Sequence, residues 1–444
     1  MAFLDKATSI FKIPELRRRI LFTLSLLVVF RVGSYVPVPG IDSTALGSAL
    51  KAMQDAGGGL LGLYDMFAGG AFSRATVFAL GIMPYISASI ILQLLTAVIP
   101  YFEKLQKEGE EGKKKITQYT RYGTVFLSII QGYGISIFLE NMPVPGGGAP
   151  IVPMGGMAFR MMTTITLTSG TMFLMWLGEQ ISDKGIGNGI SLLIFTGIIA
   201  RYPNDIFRTF QSVAIRELSL FKFIFLALLM VMIIAGVIVM TQAMRKIPVQ
   251  YAKRVIGRRV YGGQSTHIPL RVNTAGVIPI IFAQSILMFP QTIATFFASR
   301  GAGFVQLLND YLRPSSVIYN VLYGVIIVFF AYFYTAIVFN PRDLADNMQK
   351  YGGFIPGIRP GTRTSEYIDR VLTRVTLPGA LFLAFIAILP SIFIYRFQAP
   401  FYFGGTGLLI VVGVALDTLQ QIESHLIMRH YEGFLKKGKL RGRR

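Results

Sequence analysis

Apolar positions along this chain gather into runs of roughly 20 residues separated by short polar connections, the period of membrane-spanning helices. Ten runs can be read, at approximately 20–36, 75–99, 117–139, 157–178, 187–200, 219–243, 274–297, 317–339, 376–395 and 406–428. The fifth, GNGISLLIFTGIIA, is short for a hydrocarbon core of roughly 30 Å and needs neighbours to shield it or a cavity to line. The stretch LYDMFAGGAFSRATVFALGIMPYISASIILQLL, from Leu63 to Leu95, breaks the pattern. Its second half predicts a spanning helix. Its first half carries Asp65, Arg74 and the pair Gly69-Gly70, and is too short and too polar to cross a bilayer. This predicts a re-entrant segment, with Gly57-Gly58-Gly59 and Gly69-Gly70 as joints. Such a segment suits either a static element or a stopper that moves aside.

Composition agrees with the pattern. Of 444 residues, 53% are hydrophobic and only 15% charged, against about 25% charged in an average soluble chain. The 43 basic and 22 acidic residues leave a net charge of +21. On a polytopic protein that excess reports topology, because Lys and Arg collect in cytoplasmic connections. The connection from Glu140 to Phe159 has neither Lys nor Arg, whereas the connections on the other side are rich in both. Both termini are therefore expected in the cytoplasm. One external connection, with Arg201, Arg208 and Arg216, runs against the trend. Arg17-Arg18-Arg19 before Ile20–Phe30 resemble a secretory signal, but the apolar run continues through RVGSYVPVPG without a small-residue cleavage site. The segment reads as a retained first span, with Arg31 snorkelling to the outer interface.

The sequence repeats itself. GIMPYISASIIL, Gly81 to Leu92, matches GVIPIIFAQSIL, Gly276 to Leu287, at six of twelve positions. The copies lie in spans two and seven, and an odd offset makes them cross in opposite directions. This is the arithmetic of two inverted five-span halves, 1–215 and 216–444. Pro84 and Pro279 are expected to kink their helices. Chance likeness between two Ile-rich helices is the competing account.

Chemistry is sparse. With no cysteine there is no disulfide or thiolate. The three histidines are His267, His425 and His430, and neither a phosphate loop nor a H-E-x-x-H site occurs. GIGNG is a weak glycine motif that reads as a tight turn rather than a nucleotide site. The spans are nearly bare of charge, unlike those of an ion-coupled secondary transporter, the rival from another class. Ile82, Ile86 and Ile281 stand at the repeat instead. A converging isoleucine collar would exclude water and ions and grip an unfolded chain by non-directional contacts. No catalysis, cofactor or metal is expected.

Two connections are long. That at 245–273 has seven basic residues and no acidic one, and its alternation predicts a strand pair turning near Gly257-Arg258-Arg259. That at 340–375 presents Arg359 on a Pro/Gly-stiffened tip. Either anionic lipid or an acidic partner fits these surfaces. The basic tail, 429–444, reads as solvated or lipid-facing.

Taken together, GIMPYISASIILQLL, GIGNGISLLIF, RKIPVQYAKRV, STHIPLRVNTAGVIP, ADNMQKYGGFIPGIRPG and GGTGLLIVVGVALD resemble the SecY family, channel-forming subunits of the bacterial preprotein translocase. The resemblance covers essentially the whole chain. It implies an all-α polytopic membrane protein, ten transmembrane helices in two inverted pseudosymmetric halves with a short re-entrant plug helix. It implies a plug at 60–72, including Leu60, Leu61, Leu63, Tyr64, Asp65, Met66, Phe67, Gly69, Gly70 and Phe72. The implied pore ring is Ile82, Ile86, Ile190, Ile194, Ile281 and Ile410. Pro84, Ser87 and Gln93 would face Pro279 and Phe282 across a lateral gate. Arg258, Arg259, Arg342 and Arg359 would dock the SecA motor or a ribosome. SecE and SecG are the implied small membrane partners, signal sequences of client proteins and membrane lipid the others. The implied function is a protein-conducting channel, not an enzyme, in the bacterial cytoplasmic membrane, passing secretory proteins across and membrane helices sideways.

Overall fold

The structure, a computed structural model, describes residues 13–55, 65–142, 150–216, 219–251, 254–256, 259–261, 265–297, 311, 316–397 and 405–437. Each of the ten apolar runs meets an α-helix. By contacts the chain forms two compact units, Met1–Phe210 with Met288–Pro314 and Ile410–Arg444, and Gln211–Leu287 with Ser315–Leu409.

The first unit opens with α1 (Pro14–Gly33) and α2 (Ser43–Asp55). Proline suits the first turn of α1, where its missing N–H would have no partner. Then come α3 (Met83–Val98), α4 (Pro100–Lys107), α5 (Glu110–Asn141), α6 (Met157–Lys184), α7 (Gly189–Ile199) and α8 (Tyr202–Ala214). Two charged staples join α5 to α6. Arg121 grips Glu179 through Nε and Nη2 at 2.9 and 2.8 Å. Near the other end, Glu140 accepts from Arg160 Nε at 2.7 Å and from the Gly156 amide at 2.7 Å. Between them the helices approach closely, so that a Cβ on Gly132 would sit 3.5 Å from Thr164 Cα.

The second unit holds α9 (Leu220–Gln242), strands β1 (Met244–Tyr251), β2 (Arg254–Ile256), β3 (Arg259–Tyr261) and β4 (Ser265–Arg271), then α10 (Ile278–Phe297), which runs on past its edge. It continues with α11 (Val317–Val338), α12 (Pro341–Lys350), β5 (Gly353–Phe354) and α13 (Thr362–Phe397). The last helix, α14 (Gly405–Lys437), belongs from Ile410 onward to the first unit. α9 is apolar all round yet buries only Leu226, Ile233 and Val237, as a lipid-facing helix does. The expected strand pair forms, with Val255 opposite Val260. The rest of that connection pairs β1 with β4, and β5 from the second long connection adds to the free edge of β1. Ile247, Val249, Leu270, Met348, Ile355 and Ile368 form the core that joins the two connections.

Five described helices, α5, α9, α11, α13 and α14, contain a segment long and apolar enough to cross a membrane. Two bent pairs pass the same test together: α3 with α4, bent 97°, and α6 with the segment Gly189–Ala214, bent 117°. The fifth run was short because α7 alone is about 16 Å long at 1.5 Å per residue; the chain then turns helical again as α8.

The prolines of the repeat act differently from expectation. Pro84 and Pro279 do not kink a continuing helix; each sits in the first turn of α3 or α10. Both copies carry a left-handed glycine three residues earlier, Gly81 at φ +59° and Gly276 at φ +62°. The repeat is thus shared in backbone as well as in letters: a glycine reverses the chain and a proline starts the helix.

Candidate functional site

Of the residues named for the re-entrant segment, Asp65, Met66, Phe67, Gly69, Gly70 and Phe72 are described; Leu60, Leu61, Leu63 and Tyr64, and the expected joint Gly57-Gly58-Gly59, lie outside the described residues. Asp65–Phe67 form a single helical turn, followed by turns to Ile82. Asp65, Met66, Phe67, Ala68, Ala71 and Phe72 are all buried. Burying a carboxylate requires compensation, and Asp65 has it. Its Oδ2 takes an ion pair from Arg201 Nη1 at 3.2 Å, and its Oδ1 accepts the Ser73 amide at 2.8 Å. The Gly70 amide donates to the Asp65 carbonyl at 2.8 Å. Gly69, at φ +67°, lies backbone to backbone on α7: a Cβ there would be 2.9 Å from Gly197 Cα. Gly70 is also left-handed, at φ +80°.

Arg31 has partners within the chain. Its Nη1 donates to the Gly69 carbonyl at 3.1 Å and its Nη2 to Tyr35 Oη at 3.1 Å. Arg31 and Arg74 both rest on the Tyr35 ring, at 5.1 and 4.4 Å from its centroid, a cation–π arrangement. Arg201, one of the arginines that ran against the expected charge trend, is here the counterion of Asp65.

The implied ring residues divide between the units. Ile82, Ile86, Ile194 and Ile410 are buried in the first, and Ile190 is half-buried there. Ile82 caps α3 and Ile86 lies one turn on, donating to the Ile82 carbonyl. Ile190 and Ile194 stand one turn apart on α7. Ile281 is buried in the second unit, on α10. Of the implied gate residues, Pro84 is buried, Ser87 half-buried, and Gln93 donates from Nε2 to Ser89 Oγ at 3.3 Å while its Oε1 is buried without a partner. Phe282 packs edge-on against Phe330 at 5.6 Å; Pro279 opens α10.

The glycine motif is a turn whose amides are already occupied. Ile186 donates to Thr23 Oγ1, Gly187 to Gln421 Oε1, Gly189 to Ser182 Oγ and Ser191 to Asn188 Oδ1, at 2.9–3.1 Å. No amide of this set is left to cradle a phosphate. Among the described residues, no cluster of His, Asp and Glu could hold a metal ion.

In the second unit, Arg342 and Arg359 are exposed. Arg342 follows the Asn340 cap of α12. Arg359 stands on a tip between left-handed Gly357 and Gly361, with its carbonyl accepting from Thr364 Oγ1 at 3.0 Å. Arg259 lies in β3 by its backbone, and Arg258 lies outside the described residues. Sequence reasoning missed Arg201, Thr23 and Gln421 as partners. Only Arg201 carried a signal, as a cation against the expected charge trend.

Comparison with known proteins adds the following. The SecY family model matches residues 76–419. The protein translocase subunit SecY of Escherichia coli K12 is 49% identical over 429 residues, covering 96% of this chain and 96% of that protein. The same subunit from Thermotoga maritima is 48% identical, covering 98% of each. A solved structure described as "The structure of a protein conducting channel" superposes with a TM-score of 0.64 at 17% identity, over 94% of this chain and 96% of that one. Sec61 from the canine ribosome–channel complex superposes at 0.59 and 16% identity, over 94% and 96%.

Proposed function

This chain belongs to the SecY family, and from that premise we infer the division of labour within a protein-conducting channel of the membrane. It is a channel subunit and not an enzyme, and the ion-coupled transporter reading has no support. Unfolded secretory proteins cross through a collar of Ile82, Ile86, Ile190, Ile194, Ile281 and Ile410. Residues 60–72 cap that collar from outside. The halves 1–215 and 216–444 hinge apart, and membrane helices leave sideways between the segments of Pro84, Ser87 and Gln93 and of Pro279 and Phe282. The observation that carries this reading is the buried re-entrant segment held by Arg201 and Arg31 in the same unit as five of the six isoleucines. A polar latch on an apolar stopper suits a seal that must be stable yet reversible.

Single cysteines test the collar, because the chain has none of its own. With a secretory client stalled in transit, cysteines at Ile82, Ile281 and Ile410 should all crosslink to it. Cysteines at exposed Phe126 and Leu228 should not. Crosslinks confined to the latter would remove the collar assignment.

The same reading places the chain in the bacterial cytoplasmic membrane with both termini in the cytoplasm, beside SecE and SecG. The joined connections, 245–273 and 340–375, then face the cytoplasm and receive SecA or a ribosome. Among the described residues the Arg359 side chain makes no hydrogen bond or ion pair, so it is available to a partner. Arg359→Glu should slow translocation about tenfold, the loss of one arginine anchor, and leave insertion of the chain in the membrane unchanged. An unaltered rate in reconstituted vesicles would exclude Arg359 from docking.

A further inference from the structure

The turn that begins α7 is held by side chains from two distant helices, and this has a consequence for the isoleucines that follow it. Thr23, on α1, is 8% exposed; its hydroxyl donates to the Arg19 carbonyl at 3.0 Å and accepts the Ile186 amide at 3.0 Å. Gln421, on α14, accepts the Gly187 amide at 2.9 Å. Gly187 is left-handed, at φ +88°, and a Cβ there would lie 2.8 Å from Leu192 Cδ1 and 3.2 Å from Thr418 Oγ1. The turn therefore sits directly on α14.

α7 starts two residues later and has a tight floor. A Cβ on Gly189 would lie 1.9 Å from the Gly178 carbonyl, and one on Gly178 would lie 2.5 Å from Ile190 Cδ1. Ile190 is thus seated on Gly178, three residues beyond the Gly187 bond. On α14, Gln421 and Ile410 are eleven residues apart, about three helical turns and one face of the helix. One face of α14 therefore carries both an isoleucine of the collar and the group that fixes where α7 begins.

We propose that Thr23 and Gln421 are positioning residues for the collar: by holding the Ile186 and Gly187 amides they set the register of α7, and so of Ile190 and Ile194, against the α14 face that carries Ile410. This rests on the collar reading above. The physical need is plain. A backbone amide buried without an acceptor is unfavourable, so removing either acceptor drives the turn to find another partner. Any shift of the turn carries Ile190 off the Gly178 floor.

The test uses the whole complex in membrane vesicles. Ile190→Cys is introduced alone and together with Gln421→Met or Thr23→Val, which keep side-chain size and remove the acceptor. The rate of labelling by a membrane-impermeant thiol reagent is measured on the resting channel. Each acceptor-free variant should raise it about threefold to tenfold, the range one net hydrogen bond converts to. Gln421→Glu and Thr23→Ser, which restore an acceptor, should return it to the parent rate, and labelling of Phe126→Cys should not move. The two variants lie on different helices, so either alone decides if the other does not fold. Parent-rate labelling in the acceptor-free variants overturns the proposal, including the case where their thermal midpoint falls, which would mean a structural role only. The collar reading fails separately, if Ile190→Cys in the otherwise unchanged chain does not crosslink to a stalled client.

Discussion

Asp65→Lys should leave the channel leaking at rest, with ion conductance across planar bilayers well above that of the parent complex. Asp65 is 4% exposed, and its charge is compensated by Arg201 on one oxygen and the Ser73 amide on the other. Lysine replaces attraction by repulsion and cannot accept from Ser73. Removing one partner of a fully buried pair costs about 3–5 kcal/mol. The Arg201 side chain is 29% exposed, so solvent screening reduces this to about 1–3 kcal/mol. The equilibrium between seated and unseated segment then shifts about 5-fold to 150-fold. Exchanging the charges, Asp65→Arg with Arg201→Asp, should restore part of the seal. Recovery stays incomplete because arginine at 65 still offers no acceptor to Ser73. If Asp65→Lys conducts no more than the parent, apolar packing of Met66, Phe67 and Phe72 holds the segment and the ion pair is incidental.

The two arginines around this segment mark where sequence reasoning reached its limit. Apolar runs of spanning length are a dense local signal, and all ten meet helices. The strand pair at Val255 and Val260 is equally local. The apolar neighbours of Arg31 suggested an interface residue and gave no sign of its partner, a carbonyl 38 residues away. Arg201 ran against the charge trend expected from the sequence; that departure was visible but its counterion, 136 residues distant, was not.

Pro84 and Pro279 were legible as breaks but not as beginnings. Proline is unfavourable inside a helix and favourable in its first turn for the same missing N–H, so the letter alone does not choose. The choice is made by Gly81 and Gly276, whose left-handed backbones end the preceding turn. α8 could have been found. Pro203, Ile206, Phe207, Phe210 and Ala214 recur at helical spacing along one face, but three arginines made the stretch read as a plain connection. The addition of β5 to β1 pairs residues about one hundred positions apart, Gln250 with Phe354, and no local pattern announces it.

Gly197→Ala should unseat the same segment by a different force and without weakening α7. Within α7, alanine is the better helix former by about 1 kcal/mol, so the helix itself gains. Its Cβ, however, would lie 3.1 Å from Gly69 Cα and 3.3 Å from the Gly69 nitrogen, tighter than ordinary contact, so that Gly69 must give by a few tenths of an ångström. Gly69 has little room to yield, since Arg31 binds its carbonyl and Gly70 is tied to Asp65. The strain therefore falls on the seating of the segment. Resting conductance should therefore rise while the thermal midpoint of the complex stays level or increases. Gly197→Leu should conduct more than Gly197→Ala. Gly69→Ala should act from the other side of the contact, with a further cost of about 1–2 kcal/mol for a left-handed alanine. Because contact replaces charge here, the increase should be insensitive to ionic strength once bulk conductivity is accounted for. Conductance at the parent level in both alanine variants would mean that the glycine contact is loose enough to absorb a methyl group, leaving the seal to the ion pair alone.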